Sequence, residues 1–187
     1  MEIAEEIRTD PEKGARRLIA ECGDRLYDVA FRLCQSENGA HDLVNRTLVR
    51  AIERIALFSG GSTLYTWLYS ILVNFWRMDM RSKNAEIVSF TDTIPDRPDD
   101  RPDPAEALAA RADADAIREA VAHLPVHYRA VIVFRYFEDM TVPEIANVLR
   151  IPEGTVKFRL HRAKKTMRRI LAQTIGILDA SKEERKQ

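Results

Sequence analysis

The sequence has few of the features that mark secreted, membrane or metal-binding proteins. Only two of its 187 residues are cysteines, Cys22 and Cys34, and their spacing is not that of a metal site. Two isolated cysteines favour a reducing cytosol and two buried thiols. No apolar run approaches the ~18 residues needed to cross a membrane, and the first residues lack the pattern of a signal peptide. We therefore expect a cytoplasmic protein without membrane insertion, metal or cofactor.

The sequence also lacks the motifs of the common enzyme classes. His123 and His127 are four residues apart, but Pro125 lies between them and no HExxH sequence is present. No glycine-rich phosphate loop follows a strand pattern, and the carboxylates are scattered along the chain. We predict no catalytic residue and no enzymatic activity.

Net charge is absent too, but the charges are unevenly distributed. Residues 1–85 carry 12 basic and 12 acidic side chains, residues 86–115 carry three and nine, and residues 116–187 carry 14 and eight. A neutral total therefore combines an acidic middle with a basic end. This distribution suits a contact with nucleic acid that is confined to part of the protein.

The apolar pattern predicts an all-α fold of two small helical domains joined by a flexible linker. Apolar residues recur at helical spacing, and no alternating strand pattern is found. Residues 86–104 hold four of the eight prolines and six acidic residues, which is typical of a linker. Residues 1–10 are expected to be a frayed leader. The predicted organisation is a first domain at 11–85, the linker at 86–104, a second domain at 105–175 and a loose tail at 176–187.

Five helices are predicted before residue 140, at about 11–33, 40–55, 63–84, 104–124 and 126–137. A division of the first helix at Gly23 is left open. The third helix has an expected core face of Leu64, Trp67, Leu68, Ile71, Phe75 and Met78. Large side chains are expected away from that face and suggest a docking surface. They are Tyr69, Val73, Trp76 and Arg77.

Residues 141–165 are predicted to form two helices around a tight turn. Thr141 and Glu144 have the spacing of a capping box, and Pro152 suits the first turn of the second helix. Arg150 occupies the turn, where a positive φ would cost roughly 1 kcal/mol. In the second helix the expected buried face is Val156, Leu160, Ala163 and Met167.

The opposite face of this second helix is basic. Seven Lys or Arg and no acidic residue lie between Lys157 and Arg169. A basic helix after a capped helix and a turn is typical of a helix-turn-helix that enters the DNA major groove. The outward side chains are Phe158, His161, Arg162 and Lys165, flanked by Lys157, Arg159 and Lys164.

Four segments together resemble the extracytoplasmic-function (ECF, group IV) sigma factors of bacterial RNA polymerase. Residues 42–48 and 58–74 are similar to sigma region two, and residues 124–137 and 151–163 are similar to sigma region four. The resemblance covers about residues 12–84 and 105–172. It implies an alternative sigma factor that binds core RNA polymerase and promoter DNA. An anti-sigma factor is a further partner that the family implies.

The resemblance also implies roles for residues of the first domain. The dock for the polymerase clamp helices would be formed by Asp42, Leu43, Asn45 and Arg46, although the family usually has Gln and Glu at the last two positions. Asn74 would read a base of the minus-ten element, while Arg77, Arg81 and Lys83 would contact phosphates. Trp67 matches a family aromatic, with packing favoured over base contact. A flipped base would be held by Phe58, Ser59, Gly60, Gly61, Ser62, Thr63 and Tyr65.

In the second domain the resemblance implies contacts with the minus-thirty-five element. His161 and Arg162 are expected to touch bases, whereas Thr155 and Lys157 would contact phosphates. Phe158 departs from the small Ser that is common there, and a phenyl ring can touch a thymine methyl group but cannot form a hydrogen bond. Arg159 and Lys165 complete the predicted DNA-binding set.

Some alternatives stay open at this point. The acidic linker could imitate nucleic acid in a basic channel or be a plain tether. The main alternative function is a stand-alone helix-turn-helix repressor or activator, and another is a helical adaptor with an incidental basic helix. Two DNA-facing modules without a dimerisation heptad favour the sigma factor over the regulator. The adaptor leaves the Gly-Gly loop unexplained.

Overall fold

The computed structural model describes residues 2–83 and 114–184, and every regular element in these two ranges is helical. The predicted all-α fold is therefore confirmed. A 3-10 turn (Ile55–Leu57) follows the third helix, and a π-helical turn (Val133–Phe137) extends the sixth. The helices are α1 (Glu2–Thr9), α2 (Pro11–Cys34), α3 (Glu37–Glu53), α4 (Leu64–Lys83), α5 (Ala114–Ala122), α6 (Val126–Ile132), α7 (Val142–Leu149) and α8 (Glu153–Glu184).

The described residues divide into two compact units. The first contains residues 2–83 together with 143–151, and the second contains 114–142 together with 152–184. The predicted linker, 86–104, lies outside the described residues, so the domain boundaries at 85 and 105 stay predictions. Helix α8 continues as far as Glu184, and the loose tail expected from residue 176 stays a prediction.

Local capping explains where the helices of the first unit begin and end. Asp10 caps α2 by accepting a hydrogen bond from the Lys13 N–H at 3.1 Å. The helix then runs unbroken through Gly23 and ends at Gln35, whose φ is 54°. Ser36 caps α3 by accepting from the Gly39 N–H at 3.3 Å. Helices α2, α3 and α4 pack around fully buried leucines at positions 18, 26, 33, 43, 68 and 72.

The predicted core face of α4 is correct for Leu68, which is fully buried, but wrong in its rotation. Tyr69, Val73 and Trp76 are at most 1% exposed, whereas Met78 is 59% exposed. The buried face is therefore rotated away from the expected stripe, and these large residues belong to the core rather than to a docking surface. Ten of the 13 positions of α4 between 64 and 76 are apolar or aromatic, so periodicity alone could not fix its rotation.

The predicted frayed leader is also wrong, because residues 2–9 form helix α1 and pack on α2. The buried side chains of α1 are Ile3, Ala4 and Ile7. Gly14 permits this close packing, since a Cβ there would lie 2.4 Å from the Ile7 nitrogen. An isolated helix of eight residues is unstable in water, so α1 depends on its contacts with α2.

Ion pairs further bind α1 to α2. The Lys13 ammonium lies 2.8 Å from Glu6, and the Arg17 guanidinium contacts Glu2 at 3.2 Å and Glu6 at 3.3 Å. The hydrogen bond with Lys13 lowers the pKa of the Glu6 carboxyl, with a smaller contribution from Arg17. These ion pairs add to the apolar contact between α1 and α2, although each exposed pair contributes little.

In the second unit α8 packs against both α5 and α6. Ala116, Ala120 and Leu171 form the buried contact between α5 and α8. The Arg129 guanidinium donates to the carbonyls of Ala122 at 2.6 Å and Leu124 at 3.1 Å. It thereby satisfies the Ala122 carbonyl at the end of α5, which has no partner within the helix, and a carbonyl of the turn that follows.

Candidate nucleic-acid interface

The outward face of α8 carries exposed polar side chains, among them Lys157, His161, Arg162 and Lys165. Their exposure agrees with the predicted orientation. Phe158 lies among them half-buried, with the Arg162 guanidinium 5.4 Å from its ring centroid. This cation-π contact holds the guanidinium on the exposed face. The Arg162 guanidinium, which can donate two hydrogen bonds, therefore lies beside the apolar ring of Phe158 on one surface of the helix.

Two residues predicted to bind DNA lie instead on the inner face of α8. Arg159 is 2% exposed and Thr155 is 7% exposed, beside the fully buried Val156 and Ala163. The buried stripe therefore passes through Arg159 and leaves Leu160 half-buried. Positions 156, 159 and 163 are three and four residues apart, which places them on one side of the helix. The prediction assigned Leu160 to the buried face because it is apolar. The predicted DNA contacts of Arg159 and Thr155 disagree with the burial of these two side chains.

The turn after α7 has the geometry of a Schellman motif. The Arg150 N–H donates to the Asn147 carbonyl, and the Ile151 N–H donates to the Ala146 carbonyl at 3.1 Å. Arg150 has a φ of 47°, so it adopts the positive φ whose cost the sequence analysis considered. This left-handed residue ends α7 sharply before α8 begins at Glu153.

The loop of residues 58–63, called here the Gly-Gly loop, is anchored at its first residue. Phe58 is 6% exposed, and its ring centroid lies 5.4 Å from that of Trp67. The predicted contact of Phe58 with a base therefore disagrees with its burial, and the favoured packing role of Trp67 agrees with this contact. Ser59, Gly60, Gly61 and Ser62 are exposed, and Gly60 has a φ of 79°. The glycine allows a backbone course that other residues rarely adopt.

Both ends of the Gly-Gly loop are held by hydrogen bonds. Thr63 caps α4 by accepting from the Thr66 N–H at 3.1 Å. At the other end the Arg8 guanidinium donates to the carbonyls of Phe58 at 2.7 Å and Ile55 at 3.3 Å. Sequence reasoning missed Arg8, because it placed that residue in a leader without structure. No pattern in the sequence pairs residues separated by about 50 positions.

Tyr65 connects the start of α4 to α2. Its hydroxyl donates to the Glu21 carbonyl at 3.0 Å, and the Arg25 guanidinium lies 4.3 Å from its ring centroid. Burial raises the pKa of the Tyr65 phenol and of the neighbouring Cys22 thiol. The predicted base contact of Tyr65 disagrees with this geometry, since its hydroxyl is bonded to α2.

The polar residues of α4 differ in their availability. Asn74 is half-buried, and within the described part of the chain its amide makes no hydrogen bond. Arg81 is exposed. Arg77 donates to the Leu149 carbonyl at 2.9 Å within the same unit, so its guanidinium is engaged rather than extended into solvent. The side chain of Lys83 lies outside the described residues.

The predicted polymerase dock on α3 is partly buried. Leu43 is completely buried and belongs to the core, whereas Asp42 and Asn45 are exposed. The exposed surface also includes Val49, which is 57% exposed and which sequence reasoning missed. Its position seven residues after Asp42 places it on the same helix face and could have indicated it.

Arg46 joins α3 to α4. Its guanidinium lies 2.9 Å from Asp42 and 3.0 Å from Asp79, and 4.6 Å from the Phe75 ring centroid. The hydrogen bond to Asp42, followed by the one to Asp79, raises the pKa of Arg46. Arg46 occupies a position where the family usually has Glu, and this change of charge is matched by an ion pair with the carboxylate of Asp79.

The part of the chain that the structure describes contains no group of three or more His, Cys, Asp and Glu that could hold a metal ion. No helix in those residues is both long enough and apolar enough to cross a membrane.

A basic helix that follows a short helix and a sharp turn is typical of helix-turn-helix proteins that bind DNA. The sequence matches two family models, Sigma-70 region 2 over residues 18–86 and Sigma-70, region 4 over residues 114–167. In fold the chain is similar to the Bartonella quintana sigma factor RpoE, solved in complex with the anti-sigma factor NepR. The TM-score is 0.64 at 23% identity, covering 84% of this chain and 96% of that one.

Relatives narrow the class further. The chain is 32% identical to the ECF RNA polymerase sigma factor SigL of Mycobacterium tuberculosis (strain ATCC 35801 / TMC 107 / Erdman), over 87% of this chain and 90% of the relative. It is 29% identical to the ECF RNA polymerase sigma factor SigW of Bacillus subtilis (strain 168), over 79% and 83%. The chain belongs to the ECF RNA polymerase sigma factors. It is an alternative sigma factor for transcription initiation and not an enzyme.

Proposed function

We propose that the chain acts in the cytoplasm as a group IV sigma factor that directs core RNA polymerase to promoters through two separate DNA contacts. The observation that carries the proposal is the outward face of α8, where exposed polar side chains lie opposite a fully buried stripe. Such a helix can enter a major groove without losing its packing. The second contact is the Gly-Gly loop with Asn74.

On α8 the proposed readers of the minus-thirty-five element are His161 and Arg162, with Phe158 beside them. The Arg162 guanidinium can donate two hydrogen bonds to a guanine edge, and the Phe158 ring can contact a thymine methyl group. Lys157 and Lys165 are exposed cations that suit phosphates, which fix register without reading sequence. Arg159 and Thr155 are left out because they are buried.

In the first unit we propose that the Gly-Gly loop receives a base of the minus-ten element after strand separation. Its exposed members, residues 59–62, offer small side chains and accessible backbone for close approach of a base. Asn74 supports the proposal because its amide has no hydrogen bond in the described residues and could pair with a base. We propose that the exposed Arg81 contacts a phosphate.

For the polymerase we propose a contact face on α3 made of Asp42, Asn45 and Val49. All three are exposed and share one side of the helix. Leu43 and Arg46 are assigned to support the face from behind, Leu43 through the core and Arg46 through its bridge to Asp79.

We also propose an anti-sigma factor as a regulatory partner. Of two solved proteins of similar fold, the sigma factor RpoE was crystallised with the anti-sigma factor NepR, and CnrH was solved in complex with the cytosolic domain of CnrY. The support is similarity of fold, at 23% identity in each case.

The test of the proposed function is a pull-down of core RNA polymerase with the full chain, followed by run-off transcription on a promoter library. We expect core binding and transcripts from a subset of promoters that share minus-ten and minus-thirty-five sequences. Tight sequence-specific binding of duplex DNA by the free chain, without core polymerase, would contradict the proposal and support a stand-alone regulator.

A further inference from the structure

We propose that Arg8 of helix α1 is a positioning residue for the Gly-Gly loop, and that α1 is therefore part of the apparatus that captures the melted minus-ten strand. This inference rests on the proposed function of the loop. Arg8 would contact no DNA itself. It would act through the backbone of Phe58, which it holds at 2.7 Å.

The contact lies at the point where the backbone enters the loop. The 3-10 turn ends at Leu57, and the carbonyls of Ile55 and Phe58 both accept from the same nitrogen of Arg8. A charge-assisted hydrogen bond is about twice as strong as a neutral one. The exposed part of the loop begins one residue later, at Ser59, and the left-handed Gly60 follows.

Arg8 can hold the loop because α1 is itself fixed. Ile3 and Ile7 are buried against α2, and the two backbones meet closely at Gly14. Ion pairs of Lys13 with Glu6 and of Arg17 with Glu2 add to these contacts. The guanidinium therefore projects from a docked helix rather than from a mobile chain end.

A cleft between α1 and the loop is consistent with this role. Its volume is about 530 Å³, and its walls come from both elements. Phe58, Ser59 and Gly60 form one side, while Glu5 and Arg8 belong to the other. Loss of the Arg8 contact would free the loop to move toward this space, which would spread its conformations and increase the entropy lost when a base binds.

The test uses holoenzyme assembled from core RNA polymerase and the full chain. The probe is the labelled non-template single strand of a promoter selected by run-off transcription. For Arg8→Ala we expect affinity for the strand to fall roughly ten-fold, the factor that corresponds to about 1.4 kcal/mol, with unchanged binding to core polymerase. Arg8→Lys should restore part of the affinity, because an ammonium can donate to the same carbonyls.

Two further variants separate positioning from general effects of charge or stability. Arg16→Ala removes an exposed arginine of α2 whose ion pair is with Glu12, and we expect wild-type affinity. Gly14→Ala displaces α1 while keeping Arg8, and we expect the same loss as in Arg8→Ala. Circular dichroism at the assay temperature establishes that each variant is folded.

Wild-type affinity in folded Arg8→Ala would overturn the inference, as would an equal loss of core binding and strand binding. An equal loss of strand affinity in Arg16→Ala would show that the effect comes from the overall charge of the protein and not from the position of Arg8. If the wild-type holoenzyme itself does not prefer the promoter strand over a scrambled strand, the proposed function of the loop fails, and the inference fails with it. That result is distinguishable because it appears before any substitution is made.

Discussion

The Gly-Gly loop and the outward face of α8 are proposed to contact DNA, and they are built in different ways. The loop is irregular backbone, so its shape depends on Phe58 packing on Trp67, on the Thr63 cap and on Arg8. The face of α8 is a regular helix surface, and one buried stripe is enough to support it. Distant contacts must therefore preserve the loop, whereas α8 tolerates change on its exposed side.

The largest expected effect concerns the anchor of the loop. Phe58→Ala should lower the free energy of unfolding by roughly 3–5 kcal/mol, since it removes a buried ring. The matched control is Leu57→Ala, because Leu57 is adjacent but 69% exposed and should change stability little. Urea denaturation of the full chain measures both. Equal effects of the two substitutions would show that Phe58 does not anchor the loop.

On α8 the expected losses affect binding rather than folding. Arg162→Ala should cost roughly 1–3 kcal/mol in promoter binding and relax the preference at one base pair. Lys157→Ala should weaken all promoter sequences alike and lower the salt slope by about one unit. A panel of single-base promoter variants at two salt concentrations, bound by holoenzyme, distinguishes the two. The opposite assignment would mean that the base-reading face lies toward Lys157 and Lys164.

A smaller effect is expected at the bridge between α3 and α4. Arg46→Ala should lower the free energy of unfolding by roughly 1 kcal/mol, because the ion pairs with Asp42 and Asp79 are partly exposed. Asn45→Ala should leave stability unchanged and weaken core polymerase binding. Chemical denaturation and a titration with core polymerase, carried out on both variants, test whether Arg46 supports stability and Asn45 supports polymerase binding. If Arg46→Ala kept full stability but bound core polymerase more weakly, Arg46 would belong to the surface that contacts the polymerase.

The smallest effect is expected at the turn after α7. Arg150→Asn should raise the free energy of unfolding by roughly 0.5 kcal/mol, a part of the ~1–2 kcal/mol that a left-handed conformation costs most L-residues. Asn adopts a positive φ more readily, and Arg150 has a φ of 47°. Differential scanning calorimetry can detect the shift. A fall in stability would show that the Arg150 side chain makes a contact worth more than the backbone strain.

Sequence reasoning succeeded where charged and apolar residues lie on clearly different sides of a helix. The exposed residues of α8 could be predicted because the basic groups cluster on one side of the helix. Arg159 could not, because a buried arginine breaks the rule that charged residues lie outside. The face of α4 was mistaken because apolar residues surround the helix. Helix α1 was missed because its stability comes from packing at Gly14, a contact that its own eight residues do not reveal.

The central claim is that the first unit acts on melted DNA and α8 on duplex DNA, and Asn74 tests it most directly. Asn74→Ala and Arg162→Ala should be compared for closed-complex binding and for permanganate reactivity of the melted strand. We expect Asn74→Ala to bind closed promoter normally and to reduce strand opening roughly three- to ten-fold, as loss of one hydrogen bond would. Arg162→Ala should weaken the closed complex itself. Normal strand opening by Asn74→Ala would contradict the account.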